Sequence, residues 1–213
     1  IIGCYAISQN ESFQLAPFMI IGDDCSDDCD LGNEKSEAFS WLGATAQALQ
    51  SFDVQPNNWV SNALWGQGFS GINRTTQAID RIKDNDAIPE TKRNQFVGEA
   101  YYLRAFYYFF LARQYGRLPV IDHILTYEEF YMPRATMEET WAHMESDLKK
   151  AAELLPEKSQ YDANDEGRAT RGAANTLLGK VYIYQGKFAE AYDALIKVFN
   201  SGEYGLEPNY EDI

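Results

Sequence analysis

The sequence predicts an all-α fold of helical hairpins joined by irregular loops, and three observations predict it. Apolar residues recur at three- and four-residue spacings in one segment after another. Those segments are punctuated by proline, glycine and a capping box. The last two segments carry small residues where two antiparallel helices would touch. With 213 residues, 45% of them hydrophobic, there is material for one large domain or two small ones with a real core. The 12 Phe, 14 Tyr and 4 Trp supply large surfaces to bury, which argues against disorder.

The opening Ile1-Ile2-Gly3-Cys4 imitates the small-residue-then-Cys pattern of a bacterial lipid-attachment site. No apolar stretch precedes it, so Cys4, Tyr5 and Ile7 are expected to belong to a first helix. The chain begins without Met and stops soon after a helical segment, and it reads as a piece of a longer chain. Residues 22–62 are different in kind. Seven acids between Asp23 and Glu37 face a single Lys35, and SFDVQPNNWVSN follows. These are loop-forming residues with aromatics among them, and loops on a rigid scaffold are where binding groups sit.

Helical patterning resumes at about residue 61. Leu64, Trp65, Phe69, Ile72, Ala78, Ile79 and Ile82 form an apolar stripe loosened by Gly66, Gly68 and Gly71, which would let another backbone approach. Residues 89–116 make the strongest helix, the central pillar, entered at Pro89 and left at Gly116 and Pro119. Its aromatic run from Tyr101 to Phe110 wraps round the helix, which predicts burial on several sides. Thr136-Met137-Glu138-Glu139 is a capping box opening a helix that Pro156 ends. A polar loop follows. Residues 168–202 then hold two helices, with Gly186 and Gly202 where C-terminal caps belong. Leu178, Gly179, Tyr182, Gly186, Ala191 and Leu195 fall at the spacings of a degenerate tetratricopeptide-type hairpin.

Charge narrows the function. A net charge of −14 provides no basic footprint for phosphate backbones, so nucleic acid is not an expected partner. No stretch approaches the roughly 18–20 apolar residues of a membrane span. Catalysis finds little support. His123 and His143 have no motif-spaced nucleophile or metal partner, and no phosphate-cradling glycine loop is present. Asp23 to Asp30 suggests calcium but lacks the EF-hand glycine and glutamate, and a solvated loop of Asx turns accounts for it as well. Cys25 and Cys29 are open to three readings: a small disulfide loop, a metal pair or two free thiols. No cofactor is expected.

Sugars present apolar C–H faces that stack on aromatic rings, and hydroxyls that need Asp, Asn or Arg. A neutral glycan also meets no electrostatic penalty on an acidic protein. Trp41, Asn57, Asn58, Trp59 and the pair Asp23 and Asp24 make a set of this kind. Trp65 and Trp141, inside helical stripes, are expected to be packing residues.

RNQFVGEAYYLRAFYYFFLARQYGRLPVI resembles the signature helix of the SusD/RagB family of outer-membrane glycan-binding lipoproteins. Glu99, Ala100, Leu103, Arg104 and Ala105 stand at its core, and Tyr115, Gly116, Pro119 and Val120 at its exit. MIIGDDCSDD, LWGQGFSGINRTTQAIDRI, PRATMEETWAHMESDLKKAAELLP and GRATRGAANTLLGKVYIYQGKFAEAYDAL match other family stretches in order. The resemblance implies the N-terminal portion, residues 1–213 throughout, of a SusD-like, tetratricopeptide-like protein without catalytic activity. It implies a lipid-anchored, outward-facing place at the outer membrane, with the anchor outside this sequence. It also implies binding of a glycan or other nutrient and delivery to a SusC-like TonB-dependent transporter. On this reading Asp23, Asp24, Trp41, Asn57 and Trp59 are the candidate ligand contacts, and Glu99 and Arg104 are a structural pair holding helices. The alternative is a tetratricopeptide-like adaptor gripping proteins in a helical groove, against which the long aromatic helix weighs.

Overall fold

A computed structural model describes residues 1–10, 13, 26, 48–209 and 211. Among these, the chain is helical and holds no strand. The α-helices are α1 (Ile2–Tyr5), α2 (Trp59–Ile82), α3 (Glu90–Tyr115), α4 (Met137–Leu154), α5 (Arg171–Tyr184) and α6 (Phe188–Asn200). Two compact units divide the chain, residues 2–71 and residues 72–213 with Ile1. In the first unit Cys4 is buried on α1, and Ile7 is buried just after it.

In the second unit α3 packs on α4, α4 on α5 and α5 on α6, so chain neighbours are neighbours in space. The 26 residues of α3 lie between Pro89 and Gly116; the latter's φ of 69° turns the chain out of the helix. Buried residues fall on every side of α3, from Val97 and Ala100 through Tyr107, Tyr108 and Leu111, as the wrapped aromatic run requires. Tyr108 also fixes the exit. Its hydroxyl donates to the Pro119 carbonyl at 3.1 Å and accepts from the Ile121 amide at 2.7 Å, tying the segment after α3 back to the helix.

Thr136 opens α4 as the capping box predicts: its Oγ1 accepts from the Glu139 amide at 3.1 Å, and the Glu139 carboxylate accepts from the Thr136 amide at 2.7 Å. The close approach of α5 and α6 rests on Gly179. A Cβ there would stand 2.6 Å from Leu195 Cγ, so only a residue without one lets Leu195 seat against α5. Gly186 ends the first helix of this hairpin with φ of 73°. The expected polar loop between α4 and α5 contains two short 3₁₀ turns, Lys158–Gln160 and Ala163–Asp165.

Glu99 and Arg104 are both buried and structural, but they do not pair with one another. Arg104 reaches across to α4, where Asp147 accepts from Nε at 2.7 Å and from Nη2 at 2.8 Å. Its Nη1 donates to Thr76 Oγ1 at 3.3 Å and to the Asp122 carbonyl at 3.2 Å. Glu99 instead accepts from Gln95 at 2.9 Å and from Arg168 at 3.0 Å. The five-residue interval swings the two side chains to different faces, so each ties α3 to a different part of the chain.

Candidate functional site

Of the five candidate contacts, Asp23, Asp24 and Trp41 lie outside the described residues, as do Cys25 and Cys29. Asn57 and Trp59 lie together at the junction of a turn and α2. The junction corrects the loop boundary drawn from sequence. Residues 48–50 are helical, and α2 begins at Trp59, so the irregular segment does not run to residue 62. Asn58 is the cause. Its Oδ1 accepts from the Val60 amide at 3.0 Å and the Ser61 amide at 3.4 Å, which caps α2 so that it starts at Trp59, ahead of Leu64 where the apolar stripe begins. Asn58 is buried in that capping role.

Asn57 is exposed on the preceding turn, and Trp59 is 39% exposed on the first turn of α2. A helix start gives the indole a fixed base, which a loop tip does not. The turn itself is tied down by the Phe52 amide to Leu49, the Asp53 amide to Ala48 and the Asn58 amide to Gln55, at 3.1, 2.9 and 2.9 Å.

Phe52, which sequence reasoning did not single out, is a second exposed aromatic, seven residues before Trp59. It is 79% exposed, and its φ of 57° lies in the left-handed region that a bulky residue rarely adopts. Such a conformation costs roughly 1–2 kcal/mol, and it persists because the bonds on either side fix the turn. Only the backbone geometry reveals it; Ser51-Phe52-Asp53 carries no motif. The segment from Phe52 to Trp59 therefore carries two exposed aromatic rings, an exposed amide and Asp53, residue types that stack on apolar faces and bond hydroxyls.

The two histidines sit in different surroundings. His123 is exposed between Asp122 Oδ1 at 2.7 Å and Glu129 Oε1 at 3.0 Å, and these bonds raise its pKa. The bond to His123 holds the Asp122 carboxyl below its usual range, and the Thr126 amide, then His123, do the same for Glu129. His143 is partly buried on α4, its side chain 10% exposed, with its Nε2 3.6 Å from Asp147, and desolvation lowers its pKa. None of the described residues form a metal-ligating cluster of three or more His, Cys, Asp or Glu. Trp65 packs against Phe69, and Trp141 lies near Tyr184, with ring centres 4.6 and 6.3 Å apart, as their helical stripes predict.

A family model for SusD-like proteins, described as starch-binding and associating with the outer membrane, matches residues 23–183, well over half of the chain. The chain belongs to the SusD-like family. Members of this family are carbohydrate-binding proteins without catalytic activity. SusD-like protein P2 of Formosa agariphila is 27% identical over 99% of this chain and 41% of its own length. A laminarin-binding SusD-like protein of known structure is 28% identical and superposes with a TM-score of 0.84 over 99% of this chain and 46% of that one. Surface glycan-binding protein A from Bacteroides thetaiotaomicron, solved with laminarihexaose, shares the fold at a TM-score of 0.75 and 21% identity, over 92% of this chain and 40% of its own. The SusD-like chain thus spans about two fifths of the length of the curated relatives it matches along nearly all of its own. Its helices and their order agree with the tetratricopeptide-like fold that its signature helix implies.

Proposed function

We propose that this chain supplies part of the glycan-binding surface of a cell-surface nutrient-binding protein. The ligand contacts are Trp59, Asn57 and Phe52 at the head of α2, joined by Asp23, Asp24 and Trp41 from the acidic segment before it. The carrying observation is the family match over residues 23–183, which spans this surface. The laminarin-binding protein that resembles this chain over nearly its whole length makes β-glucan the first ligand to test. Two aromatic rings held outwards serve the apolar sugar faces, while Asn57 and the carboxylates serve hydroxyls. The protein is anchored at the outer membrane by lipid, faces outwards, and hands its ligand to a SusC-like TonB-dependent transporter. A net charge of −14 suits a neutral polymer better than an anionic one.

Affinity electrophoresis of the intact protein against laminarin and a panel of plant, host and microbial glycans tests this. Retardation by one glycan, weakened about tenfold by Trp59→Ala or Trp41→Ala, is the expected result. A glycan bound equally by wild type and both variants moves the contacts off this surface. No retardation by any glycan removes the glycan-binding reading. Co-purification with an outer-membrane transporter barrel, lost when the anchor is removed from the cell surface, is the expected sign of the delivery step.

A further inference from the structure

The loop between α4 and α5 holds a cavity of about 400 Å³, lined by Lys158, Tyr161, Asp162, Glu166, Arg168 and Tyr204. We infer that this cavity is a second sugar-binding site, built from residues separate from the surface around Trp59 and selective for a neutral, polyhydroxylated unit.

Its walls are constructed, not incidental. Beyond α6 the chain is clasped back onto the loop: the Glu203 carboxylate accepts from the Ser159 amide and from Ser159 Oγ, both at 2.8 Å. The next residue, Tyr204, is locked by a 2.6 Å bond between its hydroxyl and Thr170 Oγ1. Its ring lies against Gly172, where a Cβ would come within 2.4 Å of Tyr204 Cε2. The ring is thus a fixed aromatic wall, still 41% exposed. Tyr161, anchored through its hydroxyl to the Ala169 carbonyl, stands on the loop side.

The polar groups divide into two kinds. Arg168 is committed, with Glu99 accepting at 3.0 Å and Asp165 at 2.7 Å, so it shapes the wall. Asp162 and Glu166 have no side-chain hydrogen bond among the described residues and face solvent as acceptors. Lys158, its Nζ 5.8 Å from the centre of the Tyr204 ring, is the donor. Two acceptors and one donor around an aromatic wall match vicinal hydroxyls over a C–H face. Asp162 and Glu166 disfavour an anionic ligand, while Lys158 and Arg168 disfavour a cationic one. The cavity's volume is of the size that holds a small ligand unit.

This site rests on the glycan-binding reading but not on the contacts proposed around Trp59, and the test separates the two. Titration calorimetry of the intact protein uses laminarihexaose first, then one oligosaccharide from each glycan class of the panel. The variants are Trp59→Ala, the pair Asp162→Asn with Glu166→Gln, and Tyr204→Ala; melting temperature is read alongside. The expected result is binding that survives Trp59→Ala and falls about tenfold further when Asp162→Asn and Glu166→Gln are added, with melting unchanged. Those two carboxylates brace nothing in the fold, so they decide the outcome if Tyr204→Ala loosens the clasp. Pocket variants that bind like their parents overturn the second site alone. Abolition of all binding by Trp59→Ala likewise overturns it as an independent site. Absence of binding to every oligosaccharide by the wild type overturns both readings.

Discussion

The buried pair of Arg104 and Asp147 invites a double-mutant cycle. Their side chains are 3% and 2% exposed and joined by two bonds of 2.7 and 2.8 Å. Asp147→Ala leaves the guanidinium buried with only Thr76 Oγ1 and the Asp122 carbonyl as acceptors, at 3.3 and 3.2 Å. Breaking one side of such a pair costs about 3–5 kcal/mol, because the remaining charge stays desolvated. Arg104→Met is expected to cost a similar amount, since it leaves the Asp147 carboxylate buried without its guanidinium partner. The double variant Arg104→Met with Asp147→Leu buries no charge at all. It is expected to be more stable than either single variant, by roughly 1–4 kcal/mol. Urea unfolding of the intact protein, followed by circular dichroism at neutral pH, reads all three. A cycle in which the two losses simply add, or an Asp147→Ala loss below about 1 kcal/mol, would refute the reasoning that the pair is desolvated and mutually dependent.

Two glycines on helices are expected to respond with opposite signs. Gly179→Ala places a Cβ 2.6 Å from Leu195 Cγ and is expected to lose about 1–3 kcal/mol from overpacking despite better helix propensity. Gly66→Ala meets no atom within 4 Å among the described residues and is expected to gain about 0.5–1 kcal/mol in the same unfolding assay; a loss there would show a neighbour. The two histidines should titrate on opposite sides of the ordinary value of 6.5. Hydrogen bonds to Asp122 and Glu129 raise the pKa of His123, so its contribution to stability is complete below pH 6.5 and is lost as pH rises through the folded value. Burial lowers the pKa of His143, so its contribution is complete above pH 6.5 and is lost as pH falls through the folded value. NMR titration of the two imidazoles decides the matter, and a shared midpoint near 6.5 would contradict both environments.

Much of the fold was legible because helices are written locally. Pro89, the capping box at Thr136, and Gly186 and Gly202 place helix ends through φ preferences and orphan amides, which depend on a few adjacent residues. The aromatic run of α3 announced burial on all sides, and Gly179 announced a close crossing. The boundary at Trp59 was missed because the cap, Asn58, sits in a run of loop-forming residues, where its side chain looks like one more polar group.

By itself the sequence determined the helical periods, the family through the signature helix, and the acidic character that favours a neutral ligand. The tertiary structure alone decided the partners. Arg104 found Asp147 on α4 and Glu99 found Arg168 beyond it, because five residues along α3 point the two side chains to different faces. Phe52 was turned outwards by a backbone angle that no residue type encodes, and Tyr204 was set beside Asp162 and Glu166 by a clasp between segments about forty residues apart. Pairings across such separations depend on how helices stack and where loops return, and those are properties of the packed chain.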